Sequence, residues 1–359
     1  VWHDHGKKRE ILTAKRVTSQ DVAERAGVSR TTVSLVLNDV KGVQISDKTR
    51  QRVLEVAREL DYVPEAAAQA LARRRVQIIG LILTRSPHHI ASDTFLTQIL
   101  DGLIDVVHKY KMRLLIDILE PGSPTGTCLQ LVRSKRIDGV ILSGPRFNDE
   151  ALGVLEREAF PTVLMGHLPG TACTSVDVDN FSAARSAVGH LIGMGHEHIA
   201  CITNAAPTFT AASERLKGYQ QALEEAGISY NPDLVRYGDF DPGSGYIQMQ
   251  DLLKDFSKDV PTFSAAFIAS DVVAYGAKAA IRERGLSVPE DIALVGFDDV
   301  PFSRYSDPPL TTVRLPSYDL GWKSGDLLIR TIMGEKIPKT KVLLETELVV
   351  RDSCGAGST

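Results

Sequence analysis

Residues 18–38, TSQDVAERAGVSRTTVSLVLN, constrain the fold of this chain more tightly than any other stretch, because they read as two short helices joined by a three-residue turn. Thr18 and Asp21 have the spacing of a capping box, which starts the first helix at Ser19 and turns Val22 and Ala23 toward a small core. Gly27 ends that helix. Ser29 caps the second, Val33 and Leu37 lie four apart on its buried face, and Arg30, Thr31 and Ser34 are left facing out. Short polar side chains and one arginine at a helix N-terminus suit an element that lies in the major groove of DNA and meets base edges. The candidate DNA contacts here are Thr18, Ser29, Arg30, Thr31, Thr32, Ser34, Leu35 and Asn38. Leu35 can offer only an apolar contact, for instance to a thymine methyl. An ordinary helical hairpin shares the spacing, so the pattern alone does not decide.

The next residues extend it. A third amphipathic helix, capped by Ser46 and running DKTRQRVLEVARELDY, supplies Val53, Val56, Ala57 and Leu60 as an apolar stripe, and three small helices can share one core. Then comes Tyr62-Val63-Pro64-Glu65, followed by AAAQALARRR, an alanine-rich segment too short to be stable as a helix alone. The order VTxxDVAxxAGVSxxTVSxVLN, then S-x-x-TR, then Y-x-P-x-x-x-A-x-x-L, resembles the lactose-repressor family of bacterial transcription regulators. The chain's charge agrees with a DNA-binding head. Residues 1–76 hold 15 Lys/Arg against 10 Asp/Glu, whereas the remainder holds 26 against 35, so the overall −4 hides a basic head and an acidic body. Lys7, Lys8 and Arg9, in the extension 1–17, read as a solvated tail.

No apolar run reaches the roughly 20 residues of a spanning helix, and no short apolar segment near the N-terminus precedes a cleavage site. Cys128, Cys173, Cys201 and Cys354 are far apart, form no CxxC pair and read as reduced thiols of a cytoplasmic protein.

Beyond residue 76, short β-branched runs alternate with amphipathic helices. Candidate strands are IIGLIL (78–83), RLLIDIL (113–119), GVILSG (139–144), TVLMG (162–166), HIACIT (198–203), SAAFIAS (264–270) and IALVGF (292–297), and the runs that are apolar throughout imply burial on both faces. With helices over Thr97–Tyr110, Asn180–Met194, Ala211–Ala226 and Val272–Arg284 between them, the class is α/β with parallel sheets, and there are too many strands for one compact sheet. Two successive Rossmann-like halves fit, with ligand at the carboxyl ends of the strands. The resemblance implies a head over 18–64, a hinge helix and linker over 65–76, and a two-lobed, periplasmic-binding-protein-like body. The first lobe is assigned 77–178 and 314–341, and the second 179–313 and 342–359. Three crossover segments join the lobes, with Thr311–Pro316 read as the last. The run VLLETELVV (342–350) reads as one strand.

Enzymatic chemistry finds no support. There is no GxSxG elbow, no P-loop lysine motif and no GxGxxG after a strand. His190, His196, Glu197 and His198 lack the spacing of a metal site, and the Asp298-Asp299 pair has neither a partner nucleophile nor a metal motif. No cofactor is implied.

Carried over residue by residue, the resemblance implies an effector pocket. Arg215 in SERLKGYQQAL matches an arginine that donates to ligand oxygens. Asp298 in VGFDDVP matches a carboxylate after a buried strand that accepts from the ligand, and Phe240 matches an aromatic wall. Ser270 sits where relatives place a polar contact, and Asp93 and Phe95 stand ahead of a helix as further contacts. An aromatic face with an Arg/Asp pair suits a sugar. The competing readings are Phe240 as core, and Arg215 with Asp298 as an ion pair internal to the lobe. Two departures bear on the ligand. At Met165-Gly166-His167 the family often shows Asp or Arg, so a hydroxyl-binding carboxylate is missing and His167 is the candidate substitute. Phe209 stands where purine-responsive relatives carry an arginine, which argues against a purine.

The resemblance also implies that Leu71, flanked by Ala68, wedges into the minor groove of the operator and kinks it, and that the hinge folds only on DNA. The partners expected are a double-stranded palindromic operator, a small-molecule effector, a second copy of the chain and no membrane. A leucine-heptad tetramerisation segment is absent from RDSCGAGST, so a dimer is expected. The alternatives are a two-lobed sugar-binding or enzymatic α/β protein whose head is an interaction module, and a regulator whose co-effector is a protein.

Overall fold

A computed structural model describes residues 17–38, 42–63, 75–85, 90, 93–119, 126–147, 149–258, 260–338 and 340–356. They fall into two units, one within residues 1–76 and one from Gln77 onward. The N-terminal extension to residue 16 and the hinge positions Ala68 and Leu71 lie outside the described residues.

In the first unit, α1 (Ser19–Ala26), α2 (Arg30–Leu37) and α3 (Asp47–Glu59) each begin at a side-chain cap. At α1 the box is reciprocal: Thr18 N donates to Asp21 Oδ2 at 2.7 Å, and Asp21 N donates to Thr18 Oγ1 at 3.4 Å. Gly27, at φ 65°, closes the helix in the left-handed region that a side chain would strain. Ser29 and Ser46 accept from Thr32 N and Thr49 N at 3.1 and 3.2 Å. Val22, Ala23, Ala26, Val33, Val36, Val53, Val56 and Ala57 form the core. Val36 is buried more fully than Leu37, which packs at its margin.

From Gln77 the elements run β1 (Ile78–Leu83), α4 (Thr94–Lys109), β2 (Arg113–Ile118), α5 (Gly126–Arg133), β3 (Gly139–Ser143), α6 (Glu150–Arg157), β4 (Thr162–Met165) and β5 (Thr174–Val178). They continue as α7 (Asn180–Gly193), β6 (Ile199–Thr203), α8 (Thr210–Glu225), β7 (Val235–Tyr237), α9 (Pro242–Leu252), β8 (Ala265–Ile268), α10 (Asp271–Glu283) and β9 (Ala293–Asp298). Last come β10 (Thr311–Arg314), α11 (Ser317–Ile332), β11 (Lys341–Leu344) and β12 (Glu347–Val349). One sheet has the order β11-β5-β4-β3-β1-β2 and is parallel throughout; the other has the order β12-β10-β9-β8-β6-β7 and is parallel except where β12 runs against β10. Central strands such as β3, β6 and β9 are buried along their whole length, because helices cover both faces.

Three differences from the sequence reading follow from where hydrogen bonds go. The run VLLETELVV is two strands: β11 pairs with β5 in the first sheet and β12 with β10 in the second, so residues 342–344 belong with the first lobe and the last crossing is at Glu345–Thr346. Thr311–Pro316 is therefore not the last crossover. Its first four residues form β10 beside β9, which places Arg314 in the second sheet rather than the first lobe, and only Leu315–Pro316 crosses. The helix expected from Thr97 starts at Thr94, because Asp93 Oδ1 accepts from Leu96 N at 3.0 Å and caps it three residues earlier. Phe95 is thus in the first turn rather than ahead of the helix. Among the described residues no helix is long and apolar enough to cross a membrane.

Candidate functional site

On α2, the side chains of Ser29, Thr32 and Asn38 are engaged locally: Ser29 caps the helix, its hydroxyl lies 2.9 Å from that of Thr32, and Asn38 Nδ2 donates to Ser34 O at 2.9 Å. Thr18 is likewise spent on the box of α1. What remains outward is Arg30, Thr31 and Ser34, with Leu35 half-buried beside them. One arginine with two short hydroxyl side chains is the chemistry that reads base edges at close approach.

In the second unit, a cavity of about 100 Å³ lies between the sheets, at the carboxyl ends of their strands. Asp93, Phe95, Arg215, Phe240, Ser270 and Asp298 all line it. Arg215, near the start of α8, is buried. Its Nε donates to Asn180 Oδ1 at 2.8 Å, its Nη1 donates to Ala269 O at 2.6 Å and stands 3.6 Å from Asp298 Oδ1, and its guanidinium lies 3.8 Å from the Phe297 ring centroid. Both readings of this pair therefore hold: it is an ion pair internal to one lobe, and it forms the floor of the cavity. Asp298 ends β9 with φ 120°, and Ser270 Oγ donates to its Oδ2 at 3.0 Å instead of capping α10.

Across the cavity, Arg85 follows β1 and pairs with Asp93. Its guanidinium also stands 4.7 Å from the Phe240 ring centroid, and Phe240 meets Phe209 edge-on at 5.0 Å. Phe240, held at φ 59° and half-buried, packs against the small cluster of Ala205, Phe209 and Ala212 and also walls the cavity. A second bridge joins the lobes beside it. Phe147 N donates to Thr208 O at 3.0 Å, Thr210 N donates to Pro145 O at 3.1 Å, and the Arg146 guanidinium lies 4.4 Å from the Phe209 ring centroid.

His167 does not line this cavity; it faces a neighbouring one. Within the Met165-Gly166-His167 stretch, Gly166 has φ 110° with the Pro145 ring 2.6 Å from where a Cβ would sit. A side chain there is excluded by both backbone and packing. Arg85, Ser143, Asp177, Asn180, Asn204 and Thr210 complete the polar lining, and no motif in the sequence marks them as site residues. Arg85, Ser143 and Asn204 end or closely follow β1, β3 and β6, and the rule that ligands sit at strand carboxyl ends is the signal that finds them. Asn204 Oδ1 is buried without a hydrogen-bond partner among the described residues, a costly arrangement that a ligand donor would relieve. Among the described residues no group of His, Cys, Asp or Glu is placed to hold a metal.

Burial pushes the carboxyl of Asp298 up to about 7, although Arg215 and the Ser270 hydroxyl pull it down, and burial raises Asp177 to about 6. A carboxyl whose folded pKa exceeds its unfolded value of about 3.9 adds stability that is fully present below that value and is lost as pH rises through the folded one. The stability advantage of wild type over Asp298→Asn is therefore expected to shrink between pH 4 and about 7. Urea melts of both proteins at pH 5 and pH 8 check this, and parallel curves would refute it.

Two family models match the chain: "Bacterial regulatory proteins, lacI family" over residues 18–65, and "Periplasmic binding protein-like domain" over 188–354. The HTH-type transcriptional regulator CelR of Thermobifida fusca is 34% identical over 342 residues, covering 94% of this chain and 98% of that protein. Among solved structures, the CelR–cellobiose complex has a TM-score of 0.72 at 32% identity, covering 94% of this chain and all of that one. A lac repressor dimer bound to operator and the anti-inducer ONPF has a TM-score of 0.81 at 31% identity, covering 95% of this chain and 99% of that one. With its helix-turn-helix head, its two sheets and 94–95% of its length matched in this way, the chain belongs to the lacI family of bacterial regulatory proteins and is a DNA-binding transcriptional regulator, not an enzyme.

Proposed function

We propose that this regulator is a cytoplasmic repressor that binds a palindromic operator as a homodimer, and that a sugar held between its lobes switches operator affinity. The observation that carries the effector reading is the polar floor and roof of the inter-lobe cavity. Arg215 with Asp298 and Arg85 with Asp93 face a common space with the aromatic wall of Phe240, and Asn204 Oδ1 waits there without a partner. Pyranose rings present C–H faces for the aromatic ring and hydroxyls that both donate and accept. CelR is found with cellobiose and the lac repressor dimer with operator, which supports the same assignment here. Asp93, Phe95, Arg215, Phe240, Ser270 and Asp298 are the proposed effector contacts, and Ala68 and Leu71 the proposed minor-groove contacts of the hinge. Bound sugar biases the lobes, and the hinge converts that bias into a change in operator affinity of a few kcal/mol at most.

Binding-site selection from a random duplex pool, followed by gel shifts at several salt concentrations, tests the DNA half. It is expected to return a palindrome. Arg30→Ala is expected to cost about 1–3 kcal/mol and to relax one base position per half-site. An unchanged consensus and affinity in that variant would remove α2 from the role of reading helix. Calorimetry against a sugar panel tests the other half, and a panel with no binder would overturn the effector class.

A further inference from the structure

Where β9 ends, Asp298 stands at φ 120° and Asp299 at φ 51°, two successive residues with side chains in the region of backbone space that favours glycine. Such a turn persists only where surrounding contacts over-determine it. Asp299 supplies contacts of that kind. Its carboxylate is largely buried between two guanidinium groups: Arg351 Nη2 donates to Oδ1 at 2.6 Å, and Arg314 Nε donates to Oδ2 at 2.8 Å. Its N–H donates to Thr312 Oγ1 at 3.4 Å.

The two arginines stand beside the segments that cross between the lobes. Arg314 ends β10 immediately before the crossing at Leu315–Pro316. Its Nη1 donates at 2.7 Å to Oε2 of Glu347, the residue that opens β12 immediately after the crossing at Glu345–Thr346. Arg351 follows β12 and reaches back to the start of β10, where its Nη1 donates to Leu310 O at 2.6 Å and its N–H donates to Thr311 Oγ1 at 2.8 Å. Leu315, within the crossing, donates its N–H to Asp298 O at 3.3 Å and also lines the inter-lobe cavity. One side chain of the turn therefore belongs to the cavity floor, and its neighbour is fastened to the roots of two crossings.

We propose that Asp299 is the positioning residue of the cavity floor: clamped between Arg314 and Arg351, it holds the turn that aims the Asp298 carboxylate at Arg215, and it fastens that floor to two of the crossings between the lobes. The floor's part in effector binding rests on the reading above, whereas the placement of Asp298 is independent of it. Without the clamp nothing in Asp299 opposes relaxation of the turn, and the Asp298 carboxylate is released toward water. With the clamp, a pull on Asp298 is passed to Leu315 through its carbonyl, and to Arg314 and Glu347 through the neighbouring carboxylate. That is a contiguous physical path from the floor to the places where the lobes join. An ion pair that merely pinned the end of the chain to β10 would leave Asp298 where it is.

Urea melts of the full chain test this without any ligand, so failure of the sugar reading and failure of this one are read separately. Asp298→Asn is made in wild type and in Asp299→Ala, and the melting midpoints are compared at pH 5 and pH 8. The groups facing Asp298 are Arg215 from α8, Ser270 and Asp271 at the start of α10 and Asp93 at the start of α4. They are the same in all four proteins, so the difference made by Asp298→Asn isolates that carboxyl. In wild type the difference shrinks as pH rises through about 7. In the Asp299→Ala background it should lose at least about three-quarters of that change, since a carboxyl turned out to water titrates below both pH values. A pH-dependent difference as large as in wild type overturns the proposal, because a purely structural pair lowers every midpoint without moving Asp298. If Asp299→Ala does not fold, Arg314→Gln removes one arm of the clamp at an exposed position. Hydrogen exchange at the Leu315 amide should then quicken by about tenfold while Val295 in β9 keeps its protection, and unchanged exchange at Leu315 overturns the proposal.

Discussion

Arg215→Ala is expected to abolish the effector response and at the same time to lower the stability of the body by about 3 kcal/mol. The side chain is buried, and its removal strands three acceptors: the Asp298 carboxylate, Asn180 Oδ1 and the carbonyl of Ala269. Breaking a buried pair from one side costs more than the pair contributes, because the surviving charge has lost its cationic partner and keeps only hydrogen bonds such as that from Ser270 Oγ. Asp298 can relieve part of this by taking up a proton, since burial already pushes its pKa upward. The double variant Arg215→Ala with Asp298→Asn should therefore be more stable than Arg215→Ala alone, a coupling that only neighbours in contact display. The core of the head contains residues of its own three helices alone, so operator binding should persist in both variants. Thermal melts and gel shifts with and without effector are the measurements. A response that survives Arg215→Ala would show that the cleft is not the sensor, and a wild-type melting temperature would show that the ion pair is not structural.

Gly276→Ala should be more damaging than almost any other single-methyl change in the molecule. In α10 a Cβ at this position would lie 1.7 Å from the Pro242 carbonyl oxygen and 2.7 Å from Tyr246 N, both backbone atoms of α9. The reciprocal contact is as close, since a Cβ on Gly245 would lie 2.0 Å from Val273 O. Helix propensity favours alanine over glycine by about 1 kcal/mol. Separating two packed helices to admit the methyl costs more than about 4 kcal/mol, because neither backbone can yield without disturbing its own hydrogen bonds. The steric term wins. Gly189 in α7 is the control, with nothing within 4 Å of its virtual Cβ, so Gly189→Ala should gain about 0.5–1 kcal/mol. Denaturant melts of the two variants should move in opposite directions, and a Gly276→Ala protein as stable as wild type would mean that α9 and α10 are not in backbone contact.

The features legible in the sequence were those written locally. Thr18 with Asp21, Gly27, Ser29 and Ser46 mark helix ends through contacts a few residues long, and each stands where the spacing placed it. Long apolar runs such as 78–83 and 292–297 announce buried strands because nothing else tolerates them. By contrast β7 has three residues, β5 contains Asp177, and β10 begins with two threonines, so none carries an apolar run long enough to register. Their pairing is decided by neighbours far away in the chain. The same holds at the cavity. Arg215, Phe240 and Asp298 lie in recognisable strings, whereas Arg85 and Asn204 gain their meaning only when two lobes close over them. His167 was singled out as a replacement for a missing carboxylate, yet the left-handed turn at Gly166 carries it past the inter-lobe cavity into the neighbouring one.

The split of 341–349 between the two sheets bears on how the molecule is made. The head's core is complete once Tyr62 has been synthesised, whereas β5 waits for β11 and β10 waits for β12. Because only Glu345 and Thr346 separate those two strands, both lobes receive their final edge in almost the same moment. A nascent chain that has not reached Lys341 can carry a finished head above two open, unpaired sheet edges, the kind of surface that chaperones and aggregation compete for. Reading DNA and sensing a ligand are thus separated in time during synthesis, and the second ability arrives all at once.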